Sequence, residues 1–217
     1  MKRNMMRRNL RRSITKSFGR YIAIAMIIAL GAGMFVGLRS TKTDMVETGR
    51  EYMRAQNMFD LRLLTTYGWD KSQLEPISRL PGIKEAEGVF YSDLIAQCQG
   101  GDESAVYRFY TIPEKINRLV LLEGRMPQAP DECLADGFHN GKEVIGKTVS
   151  MTDDNSDTAL DQLTQRKFTI VGLVSTPLYM DTNRGNTAVG SGRITNYFFV
   201  PEEAFDAAYY TEIHATI

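Results

Sequence analysis

Residues 21–38 read YIAIAMIIALGAGMFVGL, an uncharged run that lies between Arg20 and Arg39. An α-helix rises about 1.5 Å per residue, so this run would extend roughly 27 Å, close to the ~30 Å thickness of a bilayer's hydrocarbon core. The two flanking arginines can extend toward the head groups and complete the fit. Because a backbone in lipid must satisfy its own hydrogen bonds, the pattern predicts a transmembrane helix over residues 20–39.

Small residues recur at every fourth position of this run. Ala25, Ala29, Gly33 and Gly37 therefore share one helix face, which ends in a GxxxG pattern. Such a face allows a second membrane helix to approach closely. Two interpretations stay open: a helix-packing face, or the general abundance of glycine and alanine in membrane helices.

A secretory signal peptide is the main alternative for this segment, since it also has a basic start and an apolar run. Its apolar region is usually 7–15 residues long and is followed by a cleavage site with small residues. Here the run is longer, and FVGLR occupies the place of the cleavage site. The sequence favours a helix that is retained.

The charge is divided unevenly along the 217 residues. Residues 1–39 contain nine Lys/Arg and no Asp/Glu, whereas residues 40–217 contain 17 Lys/Arg and 26 Asp/Glu. Basic residues stay on the cytoplasmic side of a span, which predicts a plasma-membrane protein with a cytoplasmic amino terminus and residues 60–217 outside the cytoplasm. A basic tail beside an anionic inner leaflet indicates the lipid bilayer as a partner, and no nucleic acid.

The segments on either side of the span show helical periodicity. In residues 1–19, Met6, Leu10, Ile14 and Phe18 recur among basic residues, which predicts a cytoplasmic amphipathic helix. A disordered polybasic tail is the alternative. Residues 40–58 keep the helical period and predict a helical stalk.

Residues 59–217 have the pattern of an α+β domain with a mixed or antiparallel sheet and short helices. Apolar and polar residues alternate from Phe59, Asp70 is a suitable helix N-cap, and Pro201 suits a first helical turn. A chain that ends on a core strand is expected to continue. The predicted strands are 88–97, 105–111, 132–136, 144–151, 167–174, 196–200 and the final TEIHATI.

These elements resemble, in their order, the extracytoplasmic core domain of the FtsX-like and MacB-like permeases of ABC transporters. The resemblance is carried by the basic span and then by LPGIKEAEGV, LEGRMPQAPDECLAD, IGKTV, FTIVGLVSTPLY, RGNTAVGSG, YFFVPEEAF and YTEIHATI. It implies a membrane subunit that performs no ATP chemistry and works with a separate cytoplasmic ABC ATPase. It also implies further transmembrane helices, in the same permease or in a partner permease.

Residues that could carry chemistry are sparse. Gly185, Gly190 and Gly192 lack the Lys-Ser/Thr of a phosphate-binding loop, and Asp153 begins a calcium-loop spacing that lacks its glycine and closing carboxylate. The two histidines fit no metal-ligand pattern with the cysteines. The sequence therefore predicts neither an enzyme nor a metal or cofactor site.

Cys98 and Cys133 both fall on the predicted outer side, where disulfides persist. A bridge between them would stabilise the fold by up to about 3–4 kcal/mol on the chain-entropy model. Two unpaired thiols are the alternative.

The leading hypothesis is the amino-terminal part of an ABC transporter permease, which couples ATP hydrolysis by a separate ATPase to export or to mechanical signalling. The alternative is a single-pass, membrane-anchored binding or sensor module. The two differ in whether the small-residue face of the span contacts other helices.

Overall fold

The computed structural model describes residues 5, 6, 12, 15, 17–101 and 104–217. The predicted amphipathic helix over residues 1–19 falls mostly outside them, and its Leu10 and Ile14 lie outside the described residues. The chain divides into two compact units, Met1–Glu51 and Tyr52–Ile217. The second unit is called the β-domain below.

Helix α1 runs from Phe18 to Ala55 and includes the predicted span. Beyond its end, Asn57 has a φ of 52°. The N–H of Asn57 donates to the carbonyl of Arg54, and that of Met58 donates to Met53, at 3.1 and 2.9 Å. These bonds form a Schellman motif, which satisfies the last helical carbonyls. The helix therefore ends before residue 58, the predicted end of the stalk.

The described part of the β-domain has ten strands, two short α-helices and three 3-10 turns. The strands are β1 Leu61–Asp70, β2 Glu85–Val89, β3 Tyr91–Cys98, β4 Ala105–Thr111, β5 Val120–Gly124, β6 Glu132–Asp136, β7 Thr148–Met151, β8 Lys167–Ser175, β9 Asn196–Val200 and β10 Tyr209–Thr216. The helices are α2 Leu74–Ser78 and α3 Asp157–Leu160, and the turns are Lys71–Gln73, Lys142–Val144 and Glu202–Ala204.

Two sheets are formed. Strands β1, β10 and β2 make a three-stranded antiparallel sheet with β10 in the centre. The larger sheet has the order β5-β8-β6-β9-β4-β3-β7, and β7 also pairs with β8. That last pairing closes six strands into a barrel and leaves β5 as an additional strand beside β8. The prediction of an α+β domain with a mixed sheet is confirmed.

Alternation along the barrel strands divides the apolar residues between two clusters. Phe198 packs inside the barrel with residues from all six strands, and its neighbour Phe199 packs on the outer face. In β6, Cys133 and Ala135 likewise face the interior, whereas Leu134 joins the outer cluster. Burial on both faces explains why β9 continues from Asn196 as an uninterrupted apolar run, YFFV.

Two strand predictions need correction, and one observed strand was not predicted. The predicted strand 88–97 is two strands in different sheets, because the ladder changes partner at Phe90. The predicted strand 144–151 begins only at Thr148, since Lys142–Val144 is a 3-10 turn and Gly146 has a φ of +86°. Strand β5 was not predicted: its VLLEG sequence has no strict alternation.

The segment 122–136, LEGRMPQAPDECLAD, contains the end of β5, a compact connection over residues 125–131, and strand β6. The Arg125 guanidinium forms two hydrogen bonds to the Glu132 carboxylate, one of them Nη1 to Oε2 at 2.7 Å. Glu132 also accepts a bond from the Gln128 N–H. The Arg125 bonds, and then the Gln128 bond, lower the pKa of Glu132 to about 2.

Gly124 in this segment is predicted to be intolerant of a side chain. Its φ is +79°, and an added Cβ would lie 2.3 Å from the Val171 carbonyl oxygen. Strain and overpacking together should make Gly124→Ala destabilising by roughly 2–4 kcal/mol. Gly146→Ala is the matched control, with a φ of +86° and nothing within 4 Å of the added Cβ, so about 1 kcal/mol is expected. Urea unfolding of the detergent-solubilised chain measures both, and equal losses would contradict the close approach to Val171.

Candidate functional site

Helix α1 carries the membrane-type surface of the chain. Its most apolar 18-residue window has a mean hydropathy of 2.3, and none of that window is buried. Among the described residues it is the one helix long and apolar enough to cross a membrane. Large apolar side chains such as Ile27, Leu30 and Phe35 are exposed around the helix. An apolar surface of this kind is typical of a membrane helix.

The predicted packing residues of this helix are all exposed. Ala25, Ala29, Gly33 and Gly37 lie within α1. A Cβ added at Gly33 or Gly37 would meet no atom within 4 Å. The face is open to lipid or to another helix, and its role in helix packing stays a prediction.

The β-domain buries a carboxylate and a guanidinium against each other. Asp136, at the end of β6, is fully buried, and the side chain of Arg184 is 1% exposed. Arg184 Nη2 lies 2.5 Å from Asp136 Oδ2, while the Tyr197 hydroxyl and the Phe138 N–H each donate to Oδ1 at 2.9 Å. Burial alone would raise the pKa of Asp136, but the bonds from Phe138, His139 and Arg184 outweigh it and lower that pKa.

Arg184 also contacts two stacked tyrosines. Its guanidinium carbon lies 5.3 Å from the ring centre of Tyr179 and 5.2 Å from that of Tyr197. The two rings are 4.7 Å apart and nearly parallel. These contacts fasten the long β8–β9 connection onto the outer face of the barrel. The Nε of Arg184 is buried and has no hydrogen-bond partner among the described residues.

A second buried polar cluster links β10, the central strand of the three-stranded sheet, to β1 and to Asn117 in the loop before β5. Asn117 accepts the Phe59 N–H through Oδ1, so its amide nitrogen donates to His214 Nδ1 at 2.8 Å. His214 Nε2 then donates to Glu212 Oε1 at 2.8 Å, and Arg62 Nε donates to Glu212 Oε2 at 2.6 Å. Burial raises the pKa of Glu212, but the bond from His214 and the Arg62 charge outweigh it, so the net shift is downward. His214 is structural, as predicted from its place in a strand.

A third arginine is held on the barrel by a cross-strand pair. Arg108 lies opposite Asp93 in the β3–β4 ladder and donates to both carboxylate oxygens, at 2.5 and 2.7 Å. Its guanidinium carbon lies 4.3 Å from the Tyr91 ring centre. Burial alone would lower the pKa of Arg108, but the bonds to Asp93 outweigh it and raise the pKa.

The three arginines meet at a pocket of about 510 Å³. It lies within the β-domain, between the start of the three-stranded sheet, strand β4 of the barrel and residues 177–185 of the β8–β9 connection. Its lining is Met58, Phe59, Arg62, Arg108, Tyr110, Pro177, Leu178, Tyr179, Met180, Asp181, Asn183, Arg184, Gly185, Glu212 and His214.

The sequence did not predict this pocket. The segments that carry the family resemblance contain Asp136, Arg184 and Glu212, but nothing in their spacing shows that the pairs meet. Arg184 begins the RGNTAVGSG segment, 48 positions after Asp136. The one sequence feature that could have drawn attention to the pocket is Arg184 itself, a charged residue at the start of a turn-rich segment that has no acidic residue directly after it.

The remaining candidate residues have structural surroundings. Asn155, in the loop with partial calcium-loop spacing, accepts the Ile95 N–H and donates to the Ile95 carbonyl, both at 2.7 Å. Its side chain is thus committed to the backbone of β3. Among the described residues, no group of three or more His, Cys, Asp or Glu is placed to hold a metal ion.

Both cysteines are free in the structure. Cys133 is fully buried, and Cys98 is partly buried beside the same barrel core. Burial raises the pKa of both thiols, most strongly for Cys133. Disulfide formation requires the thiolate, which this environment disfavours. The bridge between them stays a prediction.

Comparisons with known proteins give matches in structure but not in sequence. No family model and no curated protein matches the sequence. The chain is similar in structure to the periplasmic region of MacB from Actinobacillus actinomycetemcomitans, with 16% identity and a TM-score of 0.42 over 69% of this chain and 64% of that one. It is also similar to the extracellular domain of the noncanonic ABC-type transporter YknZ from Gram-positive bacteria, with 10% identity and a TM-score of 0.41 over 73% of this chain and 80% of that one.

One of the two matched proteins, MacB, gives its name to the group that the sequence resembles. The chain spans less than two thirds of the MacB region that it matches. Both TM-scores are low, so the similarity transfers neither an activity nor a partner to this chain.

Proposed function

We propose that this chain is the amino-terminal part of an ABC transporter permease subunit. In this proposal a separate cytoplasmic ATPase hydrolyses ATP, and the permease couples that reaction to export or to mechanical signalling across the membrane. The observation that carries the proposal is the single helix α1, Phe18–Ala55, which contains an exposed apolar span and leads directly into a compact α+β domain. No described residue of the chain supplies a phosphate-binding loop, so ATP chemistry belongs to the partner.

The proposed orientation places the amino terminus in the cytoplasm and the β-domain outside. Its support is the charge division, with nine Lys/Arg and no acidic residue in residues 1–39.

Impermeant thiol labelling of intact cells is expected to modify Asp154→Cys, because Asp154 is exposed in a loop of the β-domain. Arg12→Cys is the control on the opposite side and should react only after lysis. Both variants are made in a Cys98→Ser background, since Cys98 is partly exposed while Cys133 is fully buried. Labelling of Asp154→Cys only in lysed cells would reverse the proposed topology.

The small-residue face decides between a permease and a single-pass anchor. Gly33→Leu and Gly37→Leu add apolar bulk where an added Cβ has free space, so insertion into the membrane should be unchanged. If other spans pack there, the larger side chains should separate the helices and reduce crosslinking to them severalfold. Crosslinking in membranes of the full-length protein, expressed with its ATPase, measures this effect.

The control for these variants is Phe35→Leu, since Phe35 is an exposed apolar residue of the same span outside the four-residue repeat. It should leave crosslinking unchanged. If Gly33→Leu and Gly37→Leu crosslink as well as the control, the repeat reflects only the abundance of glycine and alanine in membrane helices. The single-pass sensor module then becomes the better hypothesis.

A further inference from the structure

The pocket between the three-stranded sheet, strand β4 and the β8–β9 connection offers more hydrogen-bond donors than acceptors. Arg62, Arg108 and Arg184 all line it, and each guanidinium carries five N–H groups. Two carboxylates line it as well. One is Glu212, whose two oxygens already accept bonds from His214 and Arg62. The other is Asp181, which accepts the Asn183 N–H through Oδ1.

The arginines are held in place by partners that leave part of each guanidinium unused. Arg62 contacts Glu212 through Nε and Nη2, and Arg108 contacts Asp93 through Nε and Nη2. In both, Nη1 points away from the carboxylate partner; for Arg108, its one partner among the described residues is the Tyr110 hydroxyl, at 3.5 Å. A bond of that length is weak. The Nη1 groups of Arg62 and Arg108 are therefore fixed in place and can donate hydrogen bonds to an acceptor on a bound ligand.

Arg184 lines the same pocket, although its side chain is only 1% exposed. Among the described residues its Nε has no hydrogen-bond partner, and native proteins rarely leave a buried donor unpaired. Because this Nε is itself buried, an acceptor in the pocket reaches it only if the lining shifts when the ligand binds.

Apart from Asn183 and His214, the rest of the lining is mainly apolar. Met58, Phe59, Leu178 and Met180 contribute hydrophobic surface, and Tyr110 and Tyr179 contribute rings whose hydroxyls bond each other at 3.0 Å. A volume of about 510 Å³ is typical of sites that hold small molecules. The ligand should therefore combine an anionic acceptor with an apolar group.

We propose that this pocket binds a small carboxylate joined to an apolar or aromatic group. The carboxylate lies between the Nη1 groups of Arg62 and Arg108, near Arg184, and the apolar group packs on Phe59, Leu178 and Met180. This site is independent of the transport proposal, since its residues all belong to the β-domain.

Binding of 4-phenylbutyrate and of its amide, 4-phenylbutyramide, to the full chain in nanodiscs tests the proposal by isothermal titration calorimetry. The two probes differ only in the charged acceptor, and empty nanodiscs correct for partition into lipid. The carboxylate is expected to bind about tenfold or more tightly than the amide. Equal affinities, or no binding of the carboxylate above the empty-nanodisc signal, would overturn the proposal.

Met180→Glu locates the binding. Met180 lines the pocket but is 57% exposed, so the change should not unfold the domain, and the added negative charge should weaken carboxylate binding about tenfold. Met126→Glu is the matched control, because Met126 is 42% exposed and does not line the pocket. Equal weakening by the two variants would place the binding elsewhere and contradict the assignment.

Discussion

Asp136→Ala is expected to lower the free energy of unfolding by about 3–5 kcal/mol, the largest effect on stability among the substitutions considered. The carboxylate is fully buried and accepts bonds from Arg184, Tyr197 and the Phe138 N–H. Its removal leaves the Arg184 charge buried without a counter-ion. Chemical unfolding of the full chain in detergent, followed by near-UV circular dichroism, measures the loss.

Two variants separate this effect from a general sensitivity to lost ion pairs. Asp161→Ala removes an exposed pair with Arg166, whose side chains are 73% and 57% exposed, so a loss of only about 0–1 kcal/mol is expected. The double replacement Asp136→Leu with Arg184→Met should recover much of the stability, because it leaves neither charge buried. A loss at Asp136→Ala no larger than at Asp161→Ala would show that the buried pair contributes little.

Asp136 and Glu212, which lie in two different buried clusters, make the stability of the domain depend on acidic pH. The pKa of Asp136 is lower in the folded domain than in the unfolded chain, and that of Glu212 is lowered as well. Their contribution to stability is therefore fully present above the unfolded values of about 4, and it is lost as pH falls through the lower folded values. Unfolding of Asp136→Ala should accordingly depend less on pH below pH 4 than unfolding of the native chain.

How much the sequence could predict differs between the two units. The span is decided by a local property, an uncharged run of sufficient length, and the structure has a helix there. Most strands of the β-domain were also visible, because alternation is local. The break at Phe90 was not, since it depends on which sheet each half joins.

The pocket could not be predicted from local sequence patterns, because its residues are far apart in the chain. Arg184 meets Asp136, and Arg62 meets Glu212, across 48 and 150 positions of the chain. The pairing of β1 with β10 brings Arg62 to Glu212, and the pairing of β6 with β9 brings the β8–β9 connection that carries Arg184 close to Asp136. No period of two or 3.6 residues encodes such long-range pairings. The segments that carry the resemblance to permeases contain Asp136, Arg184 and Glu212 but not Arg62, and they gave no distances between these residues.

Inserting Gly-Gly-Ser-Gly after Thr48 is expected to abolish coupling between ATP hydrolysis and function while leaving the β-domain folded. In the proposed function, a movement driven by the ATPase reaches the β-domain through helix α1, which is continuous from Phe18 to Ala55. A helix transmits displacement only while its hydrogen bonds are unbroken, and residues 39–58 contain no proline, with Gly49 as the one poor helix former. Four flexible residues would interrupt it.

The insertion point lies before the β-domain, which begins at Tyr52. Within that domain, the Tyr52 hydroxyl lies 3.0 Å from Ser175 Oγ, and Asn57 donates to Glu85 at 2.7 Å, so the insertion leaves these contacts intact. Thr48 itself is exposed. Insertion of Glu-Ala-Ala-Lys at the same place is the matched control. It adds the same number of residues, but as about one further helical turn, so the helix stays stiff.

Both variants are reconstituted as full-length permease with the ATPase, and ATP hydrolysis is measured together with substrate-dependent function. We expect hydrolysis to continue in both, and function to be lost with the flexible insertion but retained at least in part with the helical one. Equal function in the flexible variant and the native protein would mean that α1 is only a tether, which favours the single-pass sensor module. Loss of function in both variants would show that the orientation set by the helix, rather than its stiffness, is what the coupling requires.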